Sequence, residues 1–383
     1  MNKASRGSTA IVGAATFGIG EAPGFTSPDL AARAAVAALD QAGLTLAQVD
    51  GLFIAFPNDF LSGLSFAEYL GIQPKLTNNN RTGGSAFLTH LAVAARALEA
   101  GEIDVALIAY GSNQRTGTGG LLSAANPNIY ELPYKPRLPV SAYALAASRH
   151  MHQFGTTRDH LFSVAKSAHD WAVLNPEAFR RKALNRDDYF ASRMVSDPLS
   201  VLDCCLVTDG AAAVVLVRKD RAKDCKGAAS YVLGWGEATD HYQIAQMPDL
   251  TTSAAKHSGA RAYAQAGVAP SDVDIVQLYD AFTINTIMFL EDLGFCKKGE
   301  GGDFVASGAI GPGGSLPVNT NGGGLACVHP GMYGLFTIVE AHRQLTGAAG
   351  ARQVSGAEIA VAHGNGGFLS SQVTAILGGS STA

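Results

Sequence analysis

The residues of this chain that could do chemistry gather in four short stretches. The densest is Val318-Asn319-Thr320-Asn321-Gly322-Gly323-Gly324, which continues to Val328-His329-Pro330-Gly331-Met332-Tyr333-Gly334. Consecutive glycines let a backbone approach a ligand closely, and a histidine on the turn before a helix can donate to an oxygen that develops negative charge. His363-Gly364-Asn365-Gly366-Gly367 follows an apolar strand and offers a second histidine beside a bare backbone. Asn78-Asn79-Asn80-Arg81-Thr82-Gly83-Gly84-Ser85 leads into a helix whose first N–H groups point back into the loop. Tyr279-Asp280-Ala281-Phe282 ends a strand with a phenol and a carboxyl group. One Gly-rich turn is only a turn, whereas four such stretches at strand-to-helix junctions describe a single ligand site.

The elements that must position them alternate along the chain. Apolar strand patterns at Thr9–Gly13, Gly51–Phe56, Val105–Tyr110, Ile275–Tyr279 and Ile359–Ala362 interleave with helical patterns at Ser27–Ala42, Gly84–Ala100, Ser253–Ala266 and Tyr333–Gln344. Ser27-Pro28 reads as an N-cap followed by a first-turn proline. Strands apolar on both faces predict α/β layers. Gln41-Ala42-Gly43-Leu44, then Val49-Asp50 and a strand, recurs at constant offset as Gln265-Ala266-Gly267-Val268, then Val273-Asp274 and a strand. That spacing predicts a duplication, with halves at 1–225 and 226–383. The first half is longer by an excursion over about 112–198, of the kind that forms lids or partner surfaces.

Composition excludes several classes. At 47% apolar residues the chain cannot remain disordered, and a formal charge of −4 gives no global attraction to nucleic acid or anionic lipid. No apolar run approaches the ~18 residues that span a bilayer. The start has no apolar signal region, and five cysteines without ribbon or framework spacing suit reduced thiols, so a cytoplasmic protein without a metal site is expected.

The chain resembles the thiolase superfamily over nearly its whole length. Asn319-Thr320-Asn321-Gly322-Gly323 with His329-Pro330 is similar to the asparagine–glycine stretch and the histidine loop of thiolases. Tyr279-Asp280-Ala281-Phe282 stands where thiolases carry Asn-Glu-Ala-Phe and the sterol-carrier-protein type carries His-Asp-Cys-Phe. His150-Met151, Phe154-Gly155-Thr156, Asn175-Pro176 and Thr208-Asp209-Gly210-Ala211-Ala212 also look like family segments. The resemblance implies duplicated βαβαβ halves in five αβαβα layers and a homodimer. The departures matter as much. Arg81 occupies the place of the nucleophilic cysteine in the Asn-Asn-Asn-Cys frame, and His363 that of the acid/base cysteine in the C-terminal Cys-x-Gly motif. Cys204, Cys205, Cys225, Cys296 and Cys327 do not restore the pattern.

Without the thiol there is no acyl-enzyme, and a guanidinium is no nucleophile. A retro-aldol cleavage of a 3-hydroxyacyl-CoA needs only a base for the β-hydroxyl, donors for the enolate and an acid for the α-carbon. The chain is similar in this to lipid-transfer-protein-like thiolases that act as steroid side-chain aldolases with a small OB-fold/zinc-ribbon partner subunit, in a heterotetramer. That resemblance implies catalytic roles for Tyr279, Tyr333 and His329, with His363 as an auxiliary acid or base. Either tyrosine serves as the base if a nearby cation or hydrogen bonding lowers its pKa from about 10. Arg81, Gly84, Asn321, Gly323, Asn365 and Gly366 are the expected substrate-binding residues, and Arg180 and Arg181 a basic patch for coenzyme A. Coenzyme A enters as part of the substrate, with no tightly bound cofactor. Phe53, Phe56, Phe60 and Leu61 suggest a bulky apolar guest. The alternatives are a thiolase-like acyltransferase and a non-catalytic acyl-CoA or lipid-binding subunit.

Overall fold

The computed structural model describes residues 6–118 and 126–382. The first half runs β1 (Thr9–Gly20), α1 (Ser27–Ala42), β2 (Gly51–Ile54), α2 (Ser62–Leu70), β3 (Leu76–Asn78), α3 (Ala86–Glu99) and β4 (Val105–Ser112). The excursion then holds α4 (Val140–Phe154), α5 (Arg158–Leu174), α6 (Arg186–Phe190) and the small hairpin of β5 (Met194–Ser196) and β6 (Leu199–Ser200). β7 (Asp209–Arg218) and α7 (Lys219–Ala222) close this half. The second half runs β8 (Ser230–Thr239), α8 (Ala255–Ala266), β9 (Ile275–Leu278), α9 (Thr283–Asp292), α10 (Gly301–Ala306), α11 (Gly334–Leu345), β10 (Ile359–Gly366) and β11 (Ser371–Gly378).

The duplication is visible in the pairing. β1 runs antiparallel to β7, β7 antiparallel to β4, β4 parallel to β2, and β2 parallel to β3. In the same order β8 runs antiparallel to β11, β11 antiparallel to β10, β10 parallel to β9, and β9 takes a parallel bridge from Val276 to Val318. A short contact of Ala10 and Ile11 with Tyr231 and Ser230 joins the two sheets edge to edge. α1 covers β1, β4 and β7 from one side, and α8 covers β8 and β11 from the other. α3 and α11 lie between the sheets, each touching strands of both. The result is the expected five-layer α/β arrangement. Since helices cover both faces, β4 and β11 are buried along their whole length.

The helix α1 occupies the expected Ser27–Ala42, but its N-cap is Thr26. Thr26 accepts from the Asp29 N–H at 3.3 Å and donates its own N–H to the Asp29 carboxylate at 2.8 Å, so Ser27 and Pro28 fall in the first turn. β10 extends to Gly366, past the expected Ala362, and this sets the direction of His363. Among the described residues, no helix is long and apolar enough to cross a membrane, and no group of three His, Cys, Asp or Glu side chains could hold a metal ion.

Candidate active site

The site forms where the loops after β3 and β9, the loop before α11 and the end of β10 converge. The Leu278 N–H donates to Asn319 Oδ1 at 2.6 Å and the Tyr279 N–H to the His363 carbonyl at 3.0 Å, which fixes the strand end. The Tyr279 ring then crosses the backbone at the start of α3. A Cβ on Gly84 would lie 1.8 Å from Tyr279 Cε2, so only glycine leaves room for the ring. Gly334, at the start of α11, meets Gly84 in turn, since its Cβ would stand 1.9 Å from the Gly84 carbonyl oxygen. The two central helices therefore begin backbone to backbone, under the phenol.

Tyr279 Oη and His329 Nε2 are 3.1 Å apart. The His329 loop is pinned by its N–H on Thr208 Oγ1 at 3.0 Å and by Gln114 Nε2 on its carbonyl at 3.2 Å. The Tyr333 ring stacks on His329 at 6.3 Å, and its hydroxyl donates to Asn321 Oδ1 at 3.0 Å. Asp280 turns the other way and accepts from the Gly324 N–H at 2.6 Å. A Cβ on Gly323 would lie 2.0 Å from that carboxylate, which explains the bare backbone there.

A cavity of about 280 Å³ opens on this arrangement, lined by Tyr279, His329, Tyr143, Cys205, Asn365 and Phe368 among others. Four of the expected substrate-binding residues, Arg81, Gly84, Asn365 and Gly366, lie on its wall. The others do not. Asn321 and Gly323 are buried beneath it as the supports of Tyr333 and Asp280. Arg180 and Arg181 are exposed on the loop whose backbone bonds Ala326, outside the cavity lining. Phe53 and Phe56 belong to the core, while Phe60 and Leu61 face outward next to α2, so none of the four shapes the cavity.

Two expectations about chemistry are corrected. No cation lowers a tyrosine: burial pushes Tyr279 and Tyr333 well above the ordinary phenol range, and Arg81 turns out to bond the Pro57 carbonyl at 2.8 Å. Burial also holds His329 neutral, with its pKa drawn down to about 4. The Tyr279–His329 pair is thus uncharged at neutral pH. The second correction is His363. Its Nδ1 and Nε2 bond Thr374 Oγ1 and Gln372 Oε1, each at 2.9 Å, and its ring packs on Phe289 away from the cavity lining. Side chains alternate along a strand, so the position facing α3 is Gly364, where a Cβ would stand 3.0 Å from Ser85 Cα. The residue to which the resemblance gave an auxiliary acid or base role thus faces away from the cavity. Tyr333 is likewise absent from the cavity lining and reaches the site through its stacking on His329.

Tyr143 and Cys205 were missed. Tyr143 sits on the buried face of α4 with Val140, Ala144 and Ala147, a pattern legible as helix burial but silent about what it faces. Cys205 enters because its N–H donates to the Ala281 carbonyl at 2.8 Å, a long-range pairing with no local signal. Burial pushes the Cys205 thiol well up, so it is not an activated nucleophile.

Residues 236–379 match the family model described as "Thiolase C-terminal domain-like". The chain is 34% identical over 365 residues to the 17-hydroxy-3-oxo-4-pregnene-20-carboxyl-CoA lyase of Mycobacterium tuberculosis, covering 90% of this chain and 92% of that protein. It is 33% identical over 374 residues to the acetyl-CoA acetyltransferase of Methanothermobacter thermautotrophicus, covering 94% and 96%. Among solved structures it is similar to the Ltp2–ChsH2(DUF35) aldolase, with a TM-score of 0.89, 31% identity and 98% of both chains covered.

Proposed function

The chain belongs to the thiolase superfamily, and from that premise we propose that it is a carbon–carbon lyase, a retro-aldolase acting on a bulky, steroid-derived 3-hydroxyacyl-CoA. One observation carries this reading. Of the residues at the places of the two family thiols, Arg81 bonds the Pro57 carbonyl and His363 turns away from the cavity, while a neutral Tyr279–His329 pair lines it. That arrangement lacks what acyl transfer needs and has what a retro-aldol cleavage needs.

The substrate β-hydroxyl donates to the Tyr279 oxygen as the Tyr279 proton passes to His329 Nε2. The Cα–Cβ bond breaks, the β-oxygen departs as the carbonyl of a ketone or aldehyde, and the electron pair becomes the thioester enolate. Return of the proton through Tyr279 to the α-carbon gives the shortened acyl-CoA. Imidazolium and enolate arise together, so their charges offset each other in a cavity of low dielectric. Arg81, Gly84, Asn365 and Gly366 line the acyl path in this reading, and Arg180 and Arg181 meet only the distal part of coenzyme A.

The reading extends to a cytoplasmic homodimer joined to a small OB-fold/zinc-ribbon subunit. The dimer is supported by β3, a sheet-edge strand, together with exposed Phe60, Leu64 and Tyr69 nearby in the chain. The partner is supported by the similar aldolase, whose name pairs Ltp2 with ChsH2(DUF35). Incubation with 3-hydroxyacyl-CoA esters should release a ketone or aldehyde in step with the shortened acyl-CoA. The acyltransferase alternative is favoured by the acetyltransferase relative, and Cys205 is the thiol on the cavity wall it would have to use despite the burial that keeps it protonated. Rapid acetyl-CoA formation from acetoacetyl-CoA and CoA, with an acylated Cys205 detected by mass spectrometry, would establish that alternative instead.

A further inference from the structure

The cavity wall carries a second phenol that the chemistry above leaves without a task. Tyr143 reaches the cavity from α4, with its ring centroid 4.4 Å from that of Phe282. Its hydroxyl ends a chain of hydrogen bonds that begins in the outer helix layer. Ser258 of α8 meets Thr374 Oγ1 at 2.8 Å, and Thr374 meets His363 Nδ1 at 2.9 Å. His363 Nε2 meets Gln372 Oε1 at 2.9 Å, Gln372 Nε2 donates to Asn365 Oδ1 at 2.8 Å, and Asn365 Nδ2 donates to Tyr143 Oη at 2.8 Å. Tyr143 donates in turn to the Gly367 carbonyl at 3.0 Å.

The amide orientations of Gln372 and Asn365 fix the direction of donation. Gln372 Oε1 accepts from the Nε2–H of His363, so Nδ1 accepts from Thr374, and Thr374 in turn accepts from Ser258 in place of the Ser258 bond to the Ala255 carbonyl at 3.2 Å. This makes His363 a neutral Nε2–H tautomer, in keeping with the burial that draws its pKa down to about 4. An amide side chain accepts at oxygen and donates at nitrogen without passing a proton between them, so the chain orients hydrogen bonds and does not conduct protons. Its effect is felt at the cavity end. Because Asn365 already donates to the Tyr143 oxygen, the Tyr143 proton must point elsewhere, toward Gly367 on the cavity wall. Burial pushes the Tyr143 pKa up to about 12, so this donor persists across the working pH range.

We propose that the Tyr143 hydroxyl contacts the acyl portion of the bound CoA ester, donating to an acyl oxygen in place of the Gly367 carbonyl. Gln372 and His363 are positioning residues that fix the direction of that donor. The inference rests on the reading of this cavity as the acyl site. The partner is an acyl oxygen and not a phosphate of coenzyme A, because the lining offers phenols, an amide and apolar groups, with Arg81 as its cationic residue.

The test compares dissociation constants for acetoacetyl-CoA and for CoA alone, by calorimetry on the full chain. The wild type should prefer the thioester. Tyr143→Phe should lose about three- to tenfold of that preference with the CoA constant unchanged, the range expected for one hydrogen bond. Gln372→Met, which lies outside the cavity lining, should lose about two- to fivefold of the preference, and nothing further when combined with Tyr143→Phe. Thr374→Val replaces it at the far end of the chain if the Gln372 variant melts early. Equal affinities in the wild type, an unchanged preference in Tyr143→Phe, or the same loss from Gln372→Met in both backgrounds overturns the inference. A wild type that binds acetoacetyl-CoA but releases no ketone or aldehyde from 3-hydroxyacyl-CoA esters counts against the lyase reaction alone.

Discussion

The two halves of the molecule have the same strand order and pairing sense, yet their equivalent strand-to-helix junctions contribute opposite things to the site, apart from Tyr143 and Cys205, which the excursion of the first half adds to the cavity wall. At the start of α3 the first half offers a bare backbone: Gly84 lies under a ring and Arg81 turns away to Pro57. The second half supplies polar side chains at the corresponding junctions, Tyr279 after β9, His329 before α11 and Asn365 in β10. A duplicated fold makes this division possible. One copy can give up side chains to make room, while the other keeps functional groups on an equally rigid frame.

The comparison breaks most sharply at Tyr279. Tyr279→Phe keeps the ring over Gly84 but removes the link to His329, and should lower kcat by about 10²- to 10³-fold, in the range of lost general acid–base catalysis. Rates of ketone or aldehyde release, with thermal melting as the folding control, check this. Gly84→Ala attacks the same contact from the other half. Its methyl group would displace the Tyr279 ring, lowering kcat by roughly 10- to 100-fold and stability by about 1–3 kcal/mol.

Asp280 tests whether the second half carries its polar groups at an energetic cost. Burial raises its pKa from 3.8 to about 7, against the hydrogen bonds from Gly324 and Leu325. Between those values the native state holds a proton that the unfolded chain has released, so this group's contribution to stability falls as pH rises from about 4 to about 7. Asp280→Asn removes that slope. Denaturant melts at pH 5 and pH 8 should therefore show the variant gaining on the wild type at the higher pH, by on the order of 2 kcal/mol. An unchanged difference would mean the carboxylate is ionised throughout. The smallest effect is expected at Arg81. Arg81→Ala should change kcat by less than about threefold, because its guanidinium is exposed and bonded to backbone, and a larger loss would give the junction before α3 a chemical role after all.

Much of the scaffold was legible because it follows from local rules. The helical pattern of Ser27–Ala42 matches α1 end to end, and the Gln-Ala-Gly repeat anticipates the matching positions of β2 and β9. The cap was misplaced by one residue because Thr26 and Ser27 both suit the position, and only the Asp29 contact selects between them. The site was legible in part. Tyr279 and His329 were recognisable from their motifs, but their neutral state was not, since burial reverses the expected lowering of a phenol pKa. His363 shows the limit most clearly: its motif stands out in the chain, but the strand continues through it to Gly366 and turns its ring away from the cavity.

The amino-acid sequence by itself determined the layered, duplicated frame and the absence of a thiol at both inherited catalytic positions, because periodicity and residue identity are properties of the linear chain. Only the tertiary structure decided which side of β10 faces α3, that Tyr143 and Cys205 join the cavity, and that Tyr279 and His329 meet without charge. Those outcomes depend on strand register, long-range contacts and exclusion of water, and none of them exists until the two halves close on each other.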